Sequence, residues 1–152
     1  MFMDFLPTIM LAIGILMSIV LSGIGSARGA AMIGKAAAAL ISEQPEKFGQ
    51  SLVLYMMSAS QGLYGFIIGF LIFMNLNLGE GLTLVIALRC LTSGAVMGIA
   101  GLFTAIHQSV AATAGIQILA KKPEHSTKGV LYSAMIETYA IFAFVISVLI
   151  VI

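Results

Sequence analysis

Apolar residues run through this chain in four long stretches, and polar residues fall between them or recur at matched places inside them. A membrane-spanning helix needs about 20 mainly apolar residues. The stretches from Phe5 to about Ala27, Ser51 to Met74, Cys90 to Ala120 and Gly129 to Ile152 all qualify. The first and third continue in helical pattern through GAAMIGKAAAALI and VAATAGIQILA, which predicts rods projecting beyond a bilayer. The expected fold class is an all-α membrane protein with four transmembrane helices.

Moved along by 78 positions, the chain matches itself without a gap. Pro45-Glu46 falls on Pro123-Glu124, Gly23 on Gly101, and LYGFIIGFLI on IFAFVISVLI. Each half therefore reads as one helical hairpin with its turn at a Pro-Glu pair. The expected units are residues 1–74, a connection over 75–81, and residues 82–152. A repeat with an even number of helices inserts twice in the same orientation, unlike the inverted repeats of many transporters. The basic residues set that orientation. Lys47 lies in one Pro-Glu turn and Lys121, Lys122 and Lys128 in the other, whereas NLNLGEG has none, although Arg89 follows it. The positive-inside rule places both Pro-Glu turns in the cytoplasm and both termini outside.

Composition agrees. Of the 152 residues 61% are hydrophobic and 9% charged, and the mean hydropathy is +1.13. Globular domains carry about a quarter charged residues, so a water-soluble fold is excluded. A net charge of +1 offers no basic surface for nucleic acid. The single cysteine, Cys90, excludes an internal disulfide and reads as packing. The N-terminal run has Asp4 in place of a basic leader and is longer than a signal-peptide core, so it is expected to stay as the first helix.

The two prolines serve as depth markers. Glu137 lies fourteen residues after Pro123, Gln108 fifteen before it, and Ser60 and Gln61 fifteen and sixteen after Pro45. At about 1.5 Å per residue, all four sit roughly 21–24 Å from their turns. The partner of Glu137 in the first half is Ala59, so one copy of the site has lost its acid. Met57, Ser60, Gln61 and Tyr64 follow helical spacing and share one face. Hard cations take oxygen ligands of these kinds. Intramembrane Ser, Gln and Tyr can act only as interhelical glue, worth about 0.6 kcal/mol each. An ionisable group at mid-helix costs about 2.5–3.5 kcal/mol and usually marks an ion pathway, so Glu137 reads as an ion carrier.

Other signals carry less. GAAMIGKA, residues 29–36, imitates a phosphate loop but lacks the Ser or Thr after Lys35 and the preceding strand. His107 points about 100° from Gln108 on a helix and His125 falls in a turn. Gly25/Gly29, Gly65/Gly69, Gly94/Gly98 and Ala111/Gly115 allow close helix approach. Arg28 lies seventeen residues before Pro45, as deep as the proposed site. It implies either a first helix shifted toward the cytoplasm or a cavity reaching lipid headgroups.

The stretches SGIGSARG, ISEQPEKFGQ, QGLYGFIIGFLIF, AGIQILAKKPEHSTKG and MIETYAIFAFVIS together resemble the proteolipid (K, or c) subunit of bacterial V-type ATPases, above all its sodium-translocating branch. The resemblance implies a rotor ring of identical four-helix subunits, helices one and three inside and two and four outside. Glu137 matches the ion-carrying carboxylate. Gln61, Gln108 and the Met57 backbone carbonyl match further sodium ligands, and Tyr64 matches the tyrosine that holds the glutamate. Ser60 stands where that branch has threonine, keeping the hydroxyl without the methyl. The implied partners are further copies of the chain, a stator subunit with a membrane arginine, a central stalk on the cytoplasmic turns, and lipid. The implied reaction is Na+ transport driven by ATP hydrolysis in a separate soluble sector, with no catalysis in this chain.

A proton-carrying rotor of the same build is the alternative; it needs only the carboxylate, so Gln61, Gln108 and Ser60 favour sodium. A small secondary exporter conflicts with the parallel repeat and the polarised lysines. A purely structural proteolipid has no use for one acid with amides gathered at its depth.

Overall fold

The computed structural model describes residues 2–77 and 82–152. Residues 78–81 of the expected connection lie outside the described residues. Four helices are long and apolar enough to cross a membrane: α1 (Phe5–Glu43), α2 (Pro45–Met74), α3 (Leu84–Lys121) and α4 (Pro123–Val151). At about 1.5 Å per residue, the 39 residues of α1 and 38 of α3 overrun a hydrocarbon core of about 30 Å. The projecting rods expected from the sequence are there. GAAMIGKA lies inside α1, with no phosphate-loop geometry.

The two hairpins are built alike. α1 ends at Gln44 (φ −137°, ψ 73°) and α3 at Lys122 (φ −144°, ψ 74°), 78 residues later. Each of these residues returns its N–H four positions, to Leu40 O and Ile118 O. A 3-10 turn follows in both, Pro45–Lys47 and Pro123–His125. Proline suits the first position of such a turn because its missing N–H would have had no partner. α2 and α4 thus start at their prolines, earlier than Ser51 and Gly129, because the polar residues after each turn continue the helix.

α3 packs against the other three helices. Glycines let α1 and α3 approach backbone to backbone. A Cβ on Gly14 would lie 2.6 Å from Cys90 O, and one on Gly25 2.7 Å from Leu102 Cα. Lipid removes the hydrophobic drive between helices, so such packing and interhelical hydrogen bonds hold the bundle. Serine hydroxyls bridge three of the adjoining pairs. Ser18 Oγ donates to Gly65 O (2.5 Å), Ser22 Oγ to Met97 O (3.2 Å) and Ser93 Oγ to Ser147 O (2.7 Å). Cys90 is buried as a free thiol beside Leu11 and Met97, in the packing role expected for it.

Two irregularities break the helices, the second at the level of the polar residues. Met17–Leu21 of α1 is a π-turn. In α2 the ladder stops at Met56 and restarts at Ser60. Across the gap Met57 N bonds Leu54 O (3.3 Å) and Ala59 N bonds Met56 O (3.1 Å), both three residues back.

Candidate functional site

The gap in α2 frees backbone groups at mid-membrane. Gly62 N–H leaves the helical pattern and donates to Ser26 Oγ on α1 at 2.8 Å. The Met57 carbonyl accepts the Ser60 hydroxyl at 3.3 Å. Irregular backbone is tolerated at membrane depth only where protein buries it or a cavity needs it. Here Ser58 and Gln61, on either side of Ser60, are fully buried.

Three helices converge on this point. Gln61 from α2 and Gln108 from α3 are both 0% exposed, and the Gln61 amide donates to Gln108 Oε1. Gln108 Nε2 donates to Glu137 Oε2 at 3.4 Å, and Tyr64 OH to Glu137 Oε1 at 3.0 Å. Ser60 Oγ also reaches Gln61 Oε1 at 3.3 Å. Glu137 itself is half-buried on α4. Every residue singled out from the sequence, Met57, Ser60, Gln61, Tyr64, Gln108 and Glu137, falls in this one network. His107 and Arg28 do not: both are exposed, and His107 Nδ1 pairs with Phe103 O at 2.7 Å on its own helix.

Supporting residues escape a reading of the sequence. Ser133, one turn before Glu137, sends its hydroxyl to Gln108 O at 3.4 Å. Phe144 packs on the Tyr64 ring with centroids 5.0 Å apart. Ser26 holds the broken end of α2. These act through backbone or ring faces, and serine and phenylalanine at a helix crossing carry no distinguishing pattern.

The oxygens of a carboxylate, a hydroxyl, two amides and a backbone carbonyl are all of the hard kind that alkali and alkaline-earth cations take. Among the described residues no three His, Cys, Asp or Glu side chains gather, so a transition-metal centre has no ligand set.

Comparison with known proteins agrees with the duplication. A family model describing the C subunit of ATP synthase matches residues 13–72 and again 91–150, two segments offset by 78. The V-type sodium ATPase subunit K of Enterococcus hirae is 56% identical over 132 residues, 87% of this chain and 83% of that one. The A-type ATP synthase subunit K of Methanocaldococcus jannaschii is 33% identical over 143 residues, 94% of this chain and 62% of that one. The 16 kDa proteolipid of the V-type proton ATPase of Ovis aries is 24% identical over 132 residues, 87% of this chain and 84% of that one. Half-buried carboxylate, duplicated hairpin and relatives converge: the chain belongs to the family of the ATP synthase C subunit, with the family unit present twice.

Proposed function

We propose that copies of this chain form a membrane rotor ring in which each carries one sodium ion on Glu137, with Met57 O, Ser60 Oγ, Gln61 Oε1 and Gln108 Oε1 as the other ligands. The observation that carries the proposal is the single hydrogen-bonded network that joins Met57 O, Ser60, Gln61 and Gln108 and ends on one intramembrane acid. Turning the Gln61 amide over exchanges its N–H for its oxygen. Gln61 and Gln108 then present two oxygens to one point from facing helices, an arrangement that a bound cation stabilises. The 56% identity to a sodium ATPase subunit supports sodium over the proton named for the 24% identical relative.

The mechanism follows from charge. A bare carboxylate is costly in lipid; sodium neutralises it, so the loaded subunit passes through the hydrocarbon. Tyr64 holds one carboxylate oxygen and the Gln108 amide the other, which aims the remaining lone pairs at the ion. A cationic side chain on a stator subunit displaces the ion by pairing with Glu137 in its place. Moving one charge against 100 mV takes about 2.3 kcal/mol, and ATP hydrolysis in a separate soluble sector supplies it. This chain performs none of that chemistry. The exposed Pro-Glu turns face the cytoplasm and seat the central stalk, and both termini lie outside. The two units are residues 1–74 and 82–152, and only the second bears an acid at the depth of the site, Glu137, where the first has Ala59.

Radioactive sodium binding to the purified ring tests the assignment. Saturable binding of one ion per chain is expected, abolished by Glu137→Gln with the ring intact. Unchanged binding in Glu137→Gln would falsify it.

A further inference from the structure

The internal repeat says how one copy meets the next. Inside a chain, a buried apolar cluster seals hairpin one against hairpin two near the turns. Leu40 and Leu54 are among the residues hairpin one contributes, with Ile33 and Ala37 and flanked by Ala36; hairpin two contributes Ala112, Ile116 and Leu119, flanked by Ala120 and Val130. Moved forward by 78, Ala36, Leu40 and Leu54 become Ala114, Ile118 and Tyr132, which line an open groove between α3 and α4. Moved back by 78, Ala112, Ile116, Leu119 and Val130 become Gly34, Ala38, Ile41 and Leu52, which line an open groove between α1 and α2. The two open grooves are therefore the register images of two surfaces that already fit together. Leu54 is 0% exposed and its image Tyr132 is 65% exposed.

We infer that the α3–α4 groove of one copy receives the end of α1 of the next copy, Gly34, Ala38 and Ile41 entering against Ala114, Ile118 and Tyr132. This rests on the ring reading above and adds its contact surface. Contacts of this head-to-tail kind join unlike patches and close into a ring when the rotation permits.

Charge and backbone chemistry agree. Lys121, Lys122 and Lys128 rim the α3–α4 groove, whereas the approaching end of α1 carries Glu43 and is followed by Glu46; Glu124 is the one acid in the receiving turn. Within the chain Lys47 Nζ donates to Leu119 O and Ala120 O, both at 3.0 Å, closing the carbonyl end of α3. His125 occupies the register of Lys47, and Ile41 and Ser42 that of Leu119 and Ala120. His125 thus caps α1 of the next copy. The inner helices add a third sign. A Cβ on Gly101 would meet Ser22 of α1, yet its image Gly23 has nothing within 4 Å. Gly23 is the surface left for α3 of the adjacent copy. Bulkier Leu16 and Val20 stand at the registers of Gly94 and Gly98, so copies stand farther apart at that level, beyond the site and away from the Pro-Glu turns, than hairpins within one copy.

Cysteine crosslinking in the assembled protein tests this. Tyr132→Cys and Ala38→Cys are combined on a Cys90→Ser background; both positions are exposed in the chain, so its own fold is kept. A short bifunctional thiol reagent is expected to give a ladder of dimers, trimers and higher species after full denaturation. Either single variant is expected to stay monomeric, because the two patches differ. Rings of normal mass that give no ladder overturn the contact and leave the ring reading standing, and dimers from Tyr132→Cys alone overturn it in favour of a like-to-like contact. Monomeric behaviour of the unsubstituted protein on native analysis overturns both and names the ring reading as the one at fault.

Discussion

Ser60 has a freed carbonyl and an amide oxygen each 3.3 Å from its hydroxyl, which places it to complete the shell of any cation those two bind. Losing a hydroxyl partner of a charged group costs about 1.5 kcal/mol, or roughly tenfold in Kd. Ser60→Ala is thus expected to weaken sodium binding about that much, and Ser60→Thr to keep it; isothermal titration on purified rings reads both. Tyr64→Phe removes the 3.0 Å bond to Glu137 and frees one carboxylate oxygen. Its expected signature is faster sodium exchange with assembly unchanged; an exchange rate equal to the parent's would remove the tyrosine from the site. Glu137, Gln108, Ser60 and Gln61 were legible in the sequence because the paired prolines act as rulers and an acid in lipid is rare; Met57 and Tyr64 entered through their shared helix face and the family resemblance. Ser26 and Ser133 were not. Each acts on backbone of a neighbouring helix, and the identity of that neighbour is a tertiary fact.

At the scale of helices, length, number and the register of the repeat follow from apolar runs and the repeated Pro-Glu turn. The break at 57–59 does not. Met, Ser and Ala are ordinary helix residues, and the helical spacing of Met57, Ser60, Gln61 and Tyr64 suggested an unbroken face. The break instead depends on α1 offering Ser26 to the Gly62 N–H. Ser26→Ala should therefore loosen the site without touching any ligand, lowering sodium affinity while leaving helix content by circular dichroism unchanged. Glycine spacing pointed to close helix approach, and the structure places it between α1 and α3. Gly25→Ala puts a methyl 2.7 Å from Leu102 Cα, and such overpacking costs about 1–3 kcal/mol. Gly49→Ala meets nothing within 4 Å and gains helix propensity. Thermal unfolding in detergent is expected to fall for the first and to hold or rise for the second.

For the whole molecule, the outward faces tell where lipid lies. Phe66, Phe70 and Phe73 on α2 and Tyr139, Phe142 and Leu149 on α4 are each at least half exposed, far more apolar surface than a water-facing protein leaves open. The orientation proposed from the lysines has its own test. On a Cys90→Ser background, Glu124→Cys is expected to react with an impermeant maleimide only in inside-out vesicles, and Ile152→Cys only in right-side-out ones. The reverse pattern would invert the topology and place the stalk on the other side.

The central claim is that Glu137 carries a sodium ion held by the surrounding oxygens. Carbodiimide attacks protonated carboxyls, so its rate on Glu137 in the purified ring, with and without sodium across a range of pH, reads the claim directly. Protection by sodium at millimolar or lower concentration, with none from potassium, is the predicted result. Labelling that slows only as pH rises, whatever the sodium concentration, would contradict it and leave Gln61, Gln108 and Ser60 as helix-packing residues around a proton carrier.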